Sequence, residues 1–273
     1  MMKDNPRRTY TMEGLRAKKG FICDMDGVIY HGNRLLPGAT EFVDFLKREE
    51  KQFLFLTNSS EKAPRELQQK LERLGLHVDE SHFYTSALST AAFLRQQTPG
   101  ASVYVIGEPG LVGALYNAGF TMNEINPDYV VLGETTAYSF DKIERAVSLV
   151  RNGAKLIGTN PDLTGPVEGG IAPACKALMA PIELASGRKA YYLGKPNPLM
   201  MRHGLNLLGV TNEEAAIIGD RMDTDIVAGV ESSIDTVLVL SGVTNEHEMR
   251  KYPYRPRYVL DGVGNIVPGF MDP

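Results

Sequence analysis

The feature of the sequence that most restricts its fold is a repeated alternation of short apolar runs with amphipathic stretches. Residues 20–25, 52–56 and 102–106 are rich in β-branched and aromatic side chains, and each run is followed by a segment whose apolar residues recur at helical spacing. Dense alternation of this kind is typical of parallel βαβ units. The sequence therefore predicts an α/β protein with a doubly wound, Rossmann-like parallel sheet.

Composition excludes several classes of partner. The chain has 273 residues, a formal net charge of −4 and no Trp, so it lacks the basic footprint of a protein that binds a nucleic-acid polymer. The first twenty residues carry charges but no apolar signal-peptide segment, and no stretch approaches the ~20 apolar residues of a membrane span. Cys23 and Cys175 form no Cys/His cluster, so no zinc site is predicted. We expect a cytoplasmic protein with no membrane partner.

Candidate site residues follow the predicted strands, because ligands bind at the carboxyl ends of the strands in parallel sheets. Asp24-Met25-Asp26-Gly27 comes at the end of the first predicted strand. Residues i and i+2 of an extended chain face the same side, so both carboxylates can point into one pocket. Such a pair suits a divalent hard cation or nucleophile-plus-acid chemistry. A simple turn is the alternative, since Asp-Gly is common in turns.

Two further strand ends carry residues suited to phosphate. Thr57 and Asn58, in the sequence TNSS, offer a hydroxyl and an amide beside backbone N–H groups, although the same residue types also cap helices. Lys195, between Gly194 and Pro196, follows the predicted strand 191–193 and can neutralise a phosphate or an aspartate as a point charge. A solvated loop lysine is the alternative there.

A fourth strand end is acidic. The sequence GDRMDTD places Asp220, Asp223 and Asp225 in six residues at a predicted strand-to-helix junction. Three acids this close are costly unless a cation or a helix N-terminus balances them. Asp225 suits a helix cap. Asp220 comes too early for that role and indicates a metal.

The order of these motifs resembles the haloacid dehalogenase (HAD) superfamily, whose four motifs correspond to Asp24-x-Asp26, Thr57, Lys195 and Gly219-Asp220-x-x-x-x-Asp225. The stretches DMDGVIYHG, LTNSS, GTNPD, PACKAL, GKPNP and GDRMDTDIVAG are similar to the NagD-type, class IIA phosphatases of that superfamily. The resemblance covers about residues 20–262. Arg221 departs from it, because many of these enzymes carry Asn at that position.

The resemblance implies a two-domain organisation. Residues 1–85 form the first part of the HAD core, with a polar N-terminal extension over residues 1–19. Residues 86–185 form an inserted, smaller α/β cap domain. Residues 186–273 complete the core.

The resemblance also implies a Mg²⁺-dependent phosphatase that works through an aspartyl-phosphate. Asp24 is the nucleophile, and Asp26 protonates the leaving alcohol and then deprotonates the attacking water, which requires a raised pKa for Asp26. Asp24, the backbone carbonyl of Asp26, and Asp220 hold the Mg²⁺, while Asp225 acts through a metal-bound water.

Thr57, Asn58 and Lys195 are implied to surround the phosphoryl group. In the cap, Thr159, Asn160 and Asp162 reach the leaving group or else form only a turn, since Asn-Pro-Asp is also a good turn sequence.

The expected partner is a small phosphorylated metabolite, and nucleoside 5′-monophosphates such as UMP are the first choice of substrate. Sugar phosphates and phosphoglycolate are the alternatives, followed by a phosphomutase or a non-enzymatic binding protein. A homo-oligomer formed through the cap is compatible with the resemblance.

Overall fold

The structure is a computed structural model that describes residues 10–167 and 170–271, without the side chains of residues 166 and 167. The chain divides into two compact units. The first consists of residues 1–53 and 208–273, and the second of residues 54–207. Within the described ranges, no helix combines the length and the apolar character that a membrane crossing requires.

The strands of the described chain are short. In chain order they are β1 (Gly20–Cys23), β2 (Tyr30–His31), β3 (Arg34–Leu35), β4 (Gln52–Thr57), β5 (Phe83–Thr85), β6 (Ser102–Ile106), β7 (Thr121–Met122), β8 (Tyr129–Leu132), β9 (Lys155–Gly158), β10 (Thr164–Val167), β11 (Gly170–Pro173), β12 (Tyr191–Tyr192), β13 (Ala215–Gly219), β14 (Asp235–Val239) and β15 (Tyr258–Leu260).

The α-helices alternate with these strands. In chain order they are α1 (Met12–Arg16), α2 (Ala39–Arg48), α3 (Pro64–Arg73), α4 (Ser86–Gln97), α5 (Pro109–Asn117), α6 (Phe140–Arg151), α7 (Cys175–Ser186), α8 (Pro198–Leu208), α9 (Val227–Glu231) and α10 (Glu246–Met249). Short 3₁₀ segments span Glu80–His82 and Val263–Ile266, and a π-helical turn spans Met222–Ile226.

The first unit contains a parallel sheet in the order β15-β14-β13-β1. All four residues of β1 and all five of β13 are buried, as expected for strands that are covered on both faces. Strand β4 begins in this unit and continues into the second, where Phe55 to Thr57 pair in parallel with Phe83 to Thr85 of β5. This parallel pairing confirms the predicted α/β class.

From residue 10 onward, the N-terminal extension packs within the first unit. Thr11 caps α1 by accepting the Gly14 N–H, and Leu15 is completely buried. The Arg16 side chain donates to the Ile266 carbonyl at 2.6 Å. The charged residues of this segment predicted only a polar extension. The capping Thr11 and the apolar Leu15 are the sequence signals that indicate α1.

The second unit is built on a parallel sheet in the order β12-β9-β8-β6-β7. Because side chains alternate along a strand, Val103, Val131 and Ile157 face one side of this sheet and Tyr104, Val130 and Leu156 face the other. The first set packs against α4 and α5, and the second against α6 and α7. The second unit is therefore doubly wound.

The sheet of the second unit extends past the predicted end of the cap at residue 185. Strand β12 pairs in parallel with β9, with Tyr191 opposite Ile157, so the strand that precedes Lys195 lies in this sheet. The division into a core and a cap of residues 86–185 stays a prediction.

Candidate active site

Three aspartates of the first unit form a compact group that we call the acid cluster: Asp24, Asp220 and Asp225. Each offers a carboxylate oxygen, and these three oxygens lie within 4.8 Å of one another. The sheet register explains the meeting of Asp24 and Asp220. Cys23 of β1 lies opposite Ile218 of β13, and the Asp24 N–H donates to the Ile218 carbonyl at 2.9 Å. The two strands therefore deliver their next aspartates to the same edge.

Asp225 joins the acid cluster through the π-helical turn. The Asp225 and Ile226 N–H groups both donate to the Arg221 carbonyl at 3.1 Å, which widens the helix by one residue. In return, the Arg221 N–H donates to Asp225 Oδ2 at 3.2 Å and fixes that carboxylate. The sequence predicted a strand-to-helix junction here but not the π turn, a feature that is found frequently at functional sites.

The charges of the acid cluster require compensation. Asp220 and Asp225 are only 2% and 1% exposed, and buried like charges at this separation repel strongly unless a cation or protons balance them. The Val243 N–H donates to Asp220 Oδ2 at 2.7 Å and holds that carboxylate in place. An all-oxygen donor set of three oriented carboxylates is the set that a hard divalent cation such as Mg²⁺ prefers. The donors present therefore fit the predicted metal.

Asp26 stands apart from the acid cluster. Its side chain is 41% exposed, and its Oδ1 lies 3.6 Å from His31 Nδ1. The neighbouring Tyr30 is buried, and burial together with the charges of Asp26 and Asp24 raises the pKa of the Tyr30 phenol above its usual range. Tyr30 therefore stays protonated at neutral pH. The roles predicted for Asp26, as acid–base group and as a metal ligand through its backbone carbonyl, stay predictions.

Arg221 forms a bidentate ion pair with Asp223. Its Nε and one terminal nitrogen donate to the two carboxylate oxygens of Asp223 at 3.1 and 2.9 Å. The fork geometry suits an arginine paired with a carboxylate. The residue that departs from the HAD resemblance thus neutralises the middle acid of the motif.

In the second unit, a hydrogen-bond network joins the other predicted site residues; we call it the strand-end network. The Asn58 side chain is central to it. Asn58 Oδ1 accepts the Lys195 N–H at 2.7 Å, and Asn58 Nδ2 donates to the Lys195 carbonyl and to Asp162 Oδ2, both at 2.9 Å. A Cβ on Gly194 would lie 2.7 Å from Asn58 Oδ1, so a larger residue there would prevent this approach. The network fixes the segments around residues 58, 162 and 195 to one another.

The Lys195 side chain is buried at the end of β4. Only 2% of the residue is exposed, and Nζ donates to the Leu56 carbonyl at 3.1 Å. An ammonium group is costly to bury without compensating partners. The solvated loop lysine considered from the sequence is therefore wrong.

Thr159 and Asn160, at the end of β9, are completely buried. Thr159 Oγ1 donates to Ser60 Oγ at 3.3 Å, and Asn160 Nδ2 donates to the Asn58 carbonyl at 2.8 Å. Asn160 Oδ1 accepts the Asp162 N–H at 3.1 Å, which forms the turn that was the alternative for this segment. Thr57 lies beside the network, where its Oγ1 accepts the Ser59 N–H at 3.1 Å. A direct role of these residues toward a ligand stays a prediction.

Glu134 belongs to the strand-end network, and the sequence did not single it out. It follows β8 as the second residue after Leu132, in the sequence LGET. Its carboxylate accepts the Ser60 hydroxyl at 2.6 Å and an Asn160 Nδ2–H. Burial raises the pKa of Glu134, and the hydrogen bonds from Ser60 and Asn160 oppose that effect. Its place at a strand end, the criterion used for the other candidates, was the available signal.

A cavity of about 760 Å³ in the second unit lies at the amino-terminal ends of its strands, opposite the strand ends that carry the strand-end network. Its walls include Tyr129, Lys155 and Tyr191, the first residues of β8, β9 and β12. Arg151 also lines it and ends α6, where a cation is stabilised by the helix dipole. Lys155 and Arg151 give the cavity a basic lining, and its position separates it from the strand-end network.

Comparison with known proteins identifies the family. A haloacid dehalogenase-like hydrolase family model matches residues 21–121, and a HAD-hydrolase-like model matches residues 192–266. A dihydroxyacetone phosphatase from Corynebacterium glutamicum is 44% identical over 93% of this chain and 92% of its own. The ribonucleotide monophosphatase NagD of Escherichia coli is 43% identical over 91% of this chain and 98% of its own.

Solved structures agree with this result. The structure of NagD from E. coli K-12 superposes with a TM-score of 0.86 at 43% identity, covering 91% of this chain and 98% of that one. A 4-nitrophenylphosphatase from Thermotoga maritima superposes with a TM-score of 0.90 at 33% identity, covering 93% and 98%. The chain belongs to the haloacid dehalogenase-like hydrolases, among the NagD-like class IIA phosphatases, and the predicted family, fold and enzyme class are confirmed.

Proposed function

We propose that this phosphatase hydrolyses small phosphomonoesters with Mg²⁺ and through an aspartyl-phosphate on Asp24. The observation that carries the proposal is the acid cluster. In it, a carboxylate oxygen of Asp24 lies within 4.8 Å of carboxylate oxygens of two buried aspartates, Asp220 and Asp225. Asp24, Asp220 and the backbone carbonyl of Asp26 would hold the metal, and Asp225 would act through a metal-bound water. When bound, Mg²⁺ supplies positive charge that offsets the charge of the phosphoryl oxygens.

The proposed reaction has two steps on the protein's own groups. The Asp24 carboxylate forms a bond to phosphorus, the ester P–O bond breaks, and Asp26 gives its proton to the leaving alkoxide. Asp26, now a carboxylate, then removes a proton from water, the hydroxyl bonds to phosphorus, and the bond to Asp24 breaks to release inorganic phosphate. Thr57, the backbone amide region of Asn58, and Lys195 would bind the phosphoryl oxygens as polar and positive groups.

Nucleoside 5′-monophosphates such as UMP are the proposed substrates, supported by the 43% identity to a ribonucleotide monophosphatase. A triose or sugar phosphate is the second candidate, because the relative at 44% identity is named a dihydroxyacetone phosphatase and others at 35–36% are named acid sugar phosphatases. The proposal places the enzyme in the cytoplasm.

The test is phosphate release from UMP, GMP, dihydroxyacetone phosphate, glucose 6-phosphate and phosphoglycolate, with Mg²⁺ and with EDTA. Asp24→Asn is the test variant. Asp223→Asn is the matched control, since it makes the same change in an acid that pairs with Arg221. We expect Mg²⁺-dependent release that is lost only in Asp24→Asn. Substantial Mg²⁺-dependent activity in Asp24→Asn would overturn the mechanism, and the ranking of substrates decides between nucleotides and sugar phosphates.

A further inference from the structure

Glu134 connects the loop that follows β4 with the loop that follows β9. Both loops carry residues of the proposed site. One carboxylate oxygen, Oε2, accepts both the hydroxyl and the N–H of Ser60, at 2.6 and 3.4 Å. The other, Oε1, accepts an Asn160 Nδ2–H. Ser60 lies in the loop that follows β4, and Asn160 in the loop that follows β9. A single carboxylate thus connects the ends of β4, β8 and β9.

The loop that carries Glu134 is packed directly against the Ser60 loop. The Gly133 N–H donates to the Ile106 carbonyl at 2.9 Å, which continues the β6–β8 ladder as far as the residue before Glu134. A Cβ on Gly133 would lie only 2.4 Å from Ser60 Oγ, so the approach depends on glycine. Glu134 therefore leaves a rigid strand end at a place where the two loops touch.

Asn160 connects Glu134 to Asn58, which belongs to the proposed phosphate-binding residues. Its Nδ2 carries two hydrogens, one donated to Glu134 and the other to the Asn58 carbonyl at 2.8 Å. The same Asn58 carbonyl also accepts the Ser86 hydroxyl at 2.5 Å. With both hydrogens engaged, the amide of Asn160 has one orientation. Loss of the Glu134 acceptor would leave one of them without a partner and permit the amide to turn.

Two other titratable side chains face Glu134. The charge of Asp162 raises the pKa of Glu134 further, in the same direction as burial. Cys175 is buried, and burial together with the Glu134 charge raises the pKa of its thiol to about 12, so it is neutral at physiological pH. All the groups that the carboxylate contacts are donors, and an ionised carboxylate accepts from all of them without conflict.

We propose that Glu134 is a positioning residue for phosphomonoester hydrolysis, holding Asn58 and the loop after β4 in their binding arrangement through Ser60 and Asn160. The inference rests on the proposed function, because it assigns Asn58 to the phosphoryl oxygens. Glu134 itself touches no substrate in this role.

The test variant is Glu134→Gln, which keeps the size of the side chain but replaces one acceptor oxygen by a donor. That donor faces either the Ser60 N–H or the Asn160 N–H, so one hydrogen bond is lost whichever way the amide turns. Glu108→Gln is the matched control. Its carboxylate accepts the Thr135 hydroxyl at 2.8 Å and the Thr136 N–H at 3.1 Å, in the segment directly after Glu134 but outside the network.

Kinetics are measured with the best phosphomonoester of the wild-type enzyme, and inorganic phosphate serves as a competitive inhibitor. We expect Glu134→Gln to raise KM and the phosphate inhibition constant about tenfold, with a smaller change in kcat, since a hydrogen bond to a charged group is lost. Glu108→Gln should leave both within about twofold of wild type. Equal effects in the two variants, or a fall in kcat alone, would overturn the proposal.

A double-mutant cycle with Ser60→Ala, which removes one hydroxyl from the same contact, tests the route. We expect the double variant to be hardly worse than Glu134→Gln, since coupled residues are not additive. Fully additive effects would contradict a shared route. Ser60→Ala also serves if Glu134→Gln does not fold.

Amide hydrogen exchange gives a readout that needs no activity. We expect faster exchange of the Ser59 and Ser60 amides in Glu134→Gln, but not in Glu108→Gln. Unchanged exchange would refute the positioning role even if the enzyme hydrolyses phosphomonoesters. Faster exchange in a protein that hydrolyses no phosphomonoester would support the positioning role and refute the proposed function instead.

Discussion

The acid cluster of the first unit and the strand-end network of the second are both buried polar groups at strand ends, yet they differ in charge balance. The acid cluster brings three carboxylates within 4.8 Å. In the strand-end network, donors and acceptors alternate, so that Asn58 and Asn160 each use both ends of their amides. The first arrangement needs an added cation or protons, whereas the second is complete in itself. In the acid cluster, the carboxylates proposed to bind the metal therefore lower the stability of the metal-free protein. In the strand-end network, the hydrogen bonds that arrange the site also stabilise the fold.

The largest effect is expected from a substitution within the acid cluster. Asp220→Asn keeps an acceptor for the Val243 N–H but removes one negative charge. We expect kcat/KM to fall roughly 10³-fold, because the metal loses a ligand. In EDTA the same variant should be more stable than wild type by about 1–3 kcal/mol, because a like charge is gone. Urea unfolding in EDTA and Mg²⁺ calorimetry measure the two effects. A less stable variant in EDTA would contradict the proposed repulsion.

The corresponding change in the strand-end network should have the opposite sign for stability. Asn160→Ala removes the four hydrogen bonds of a completely buried side chain. We expect the free energy of unfolding to fall by about 2–4 kcal/mol, with or without Mg²⁺. Asn123→Ala is the control, since Asn123 also makes hydrogen bonds at both ends of its amide, but in an exposed turn. Equal urea midpoints for the two variants would show that burial does not matter here.

Glu134 sharpens the comparison, because it is an acid within the strand-end network. Its pKa is raised in the folded protein, so its protonated form stabilises the fold relative to its ionised form. This contribution is complete below the unfolded pKa near 4.5 and is lost as pH rises through the folded pKa. We expect the stability of Glu134→Gln relative to wild type to increase as the pH is raised from about 4.5 towards neutral. Thermal unfolding across that range measures the trend, and a constant difference would contradict it.

The smallest expected effect concerns Arg221. Its pair with Asp223 is partly exposed, with 52% of the Asp223 side chain accessible, and exposed pairs contribute little. Arg221→Asn should change the free energy of unfolding by less than about 1 kcal/mol and leave activity within a few-fold of wild type. A loss of Mg²⁺ affinity in calorimetry would instead show that Arg221 acts on the acid cluster.

The sequence was informative where a local pattern determines the result. A short, continuous apolar run such as Tyr129–Leu132 predicts a buried strand, and the residues that follow such a strand are then easily located. It was less informative where pairing between distant segments decides. The length of β12 gives no indication that it pairs with β9, and the three residues of β15 are too few for a periodic signal. The antiparallel pair of β10 and β11 contains Gly and Pro residues, which in a sequence are typical of irregular chain.

The site residues show the same limit. Asp24 and Asp220 were found because acids that follow buried strands are costly to place together unless they bind a cation. A glutamate in a loop such as Glu134 is ordinary in sequence, and its importance arises from Ser60 and Asn160, which lie 74 and 26 residues away. Likewise, only the fold reveals that Lys195 is buried.

The side chain of Asn58 acts as a substitute peptide unit. Its amide meets the N–H and the C=O of Lys195 as a neighbouring strand would, and it is indifferent to the side chain that residue 195 carries. The hydrogen bonds that hold the backbone of residue 195 are thus separate from the one that the buried ammonium group makes to the Leu56 carbonyl. Exchange of Asn58 for aspartate would remove the donor to the Lys195 carbonyl and would set a second negative charge against Asp162.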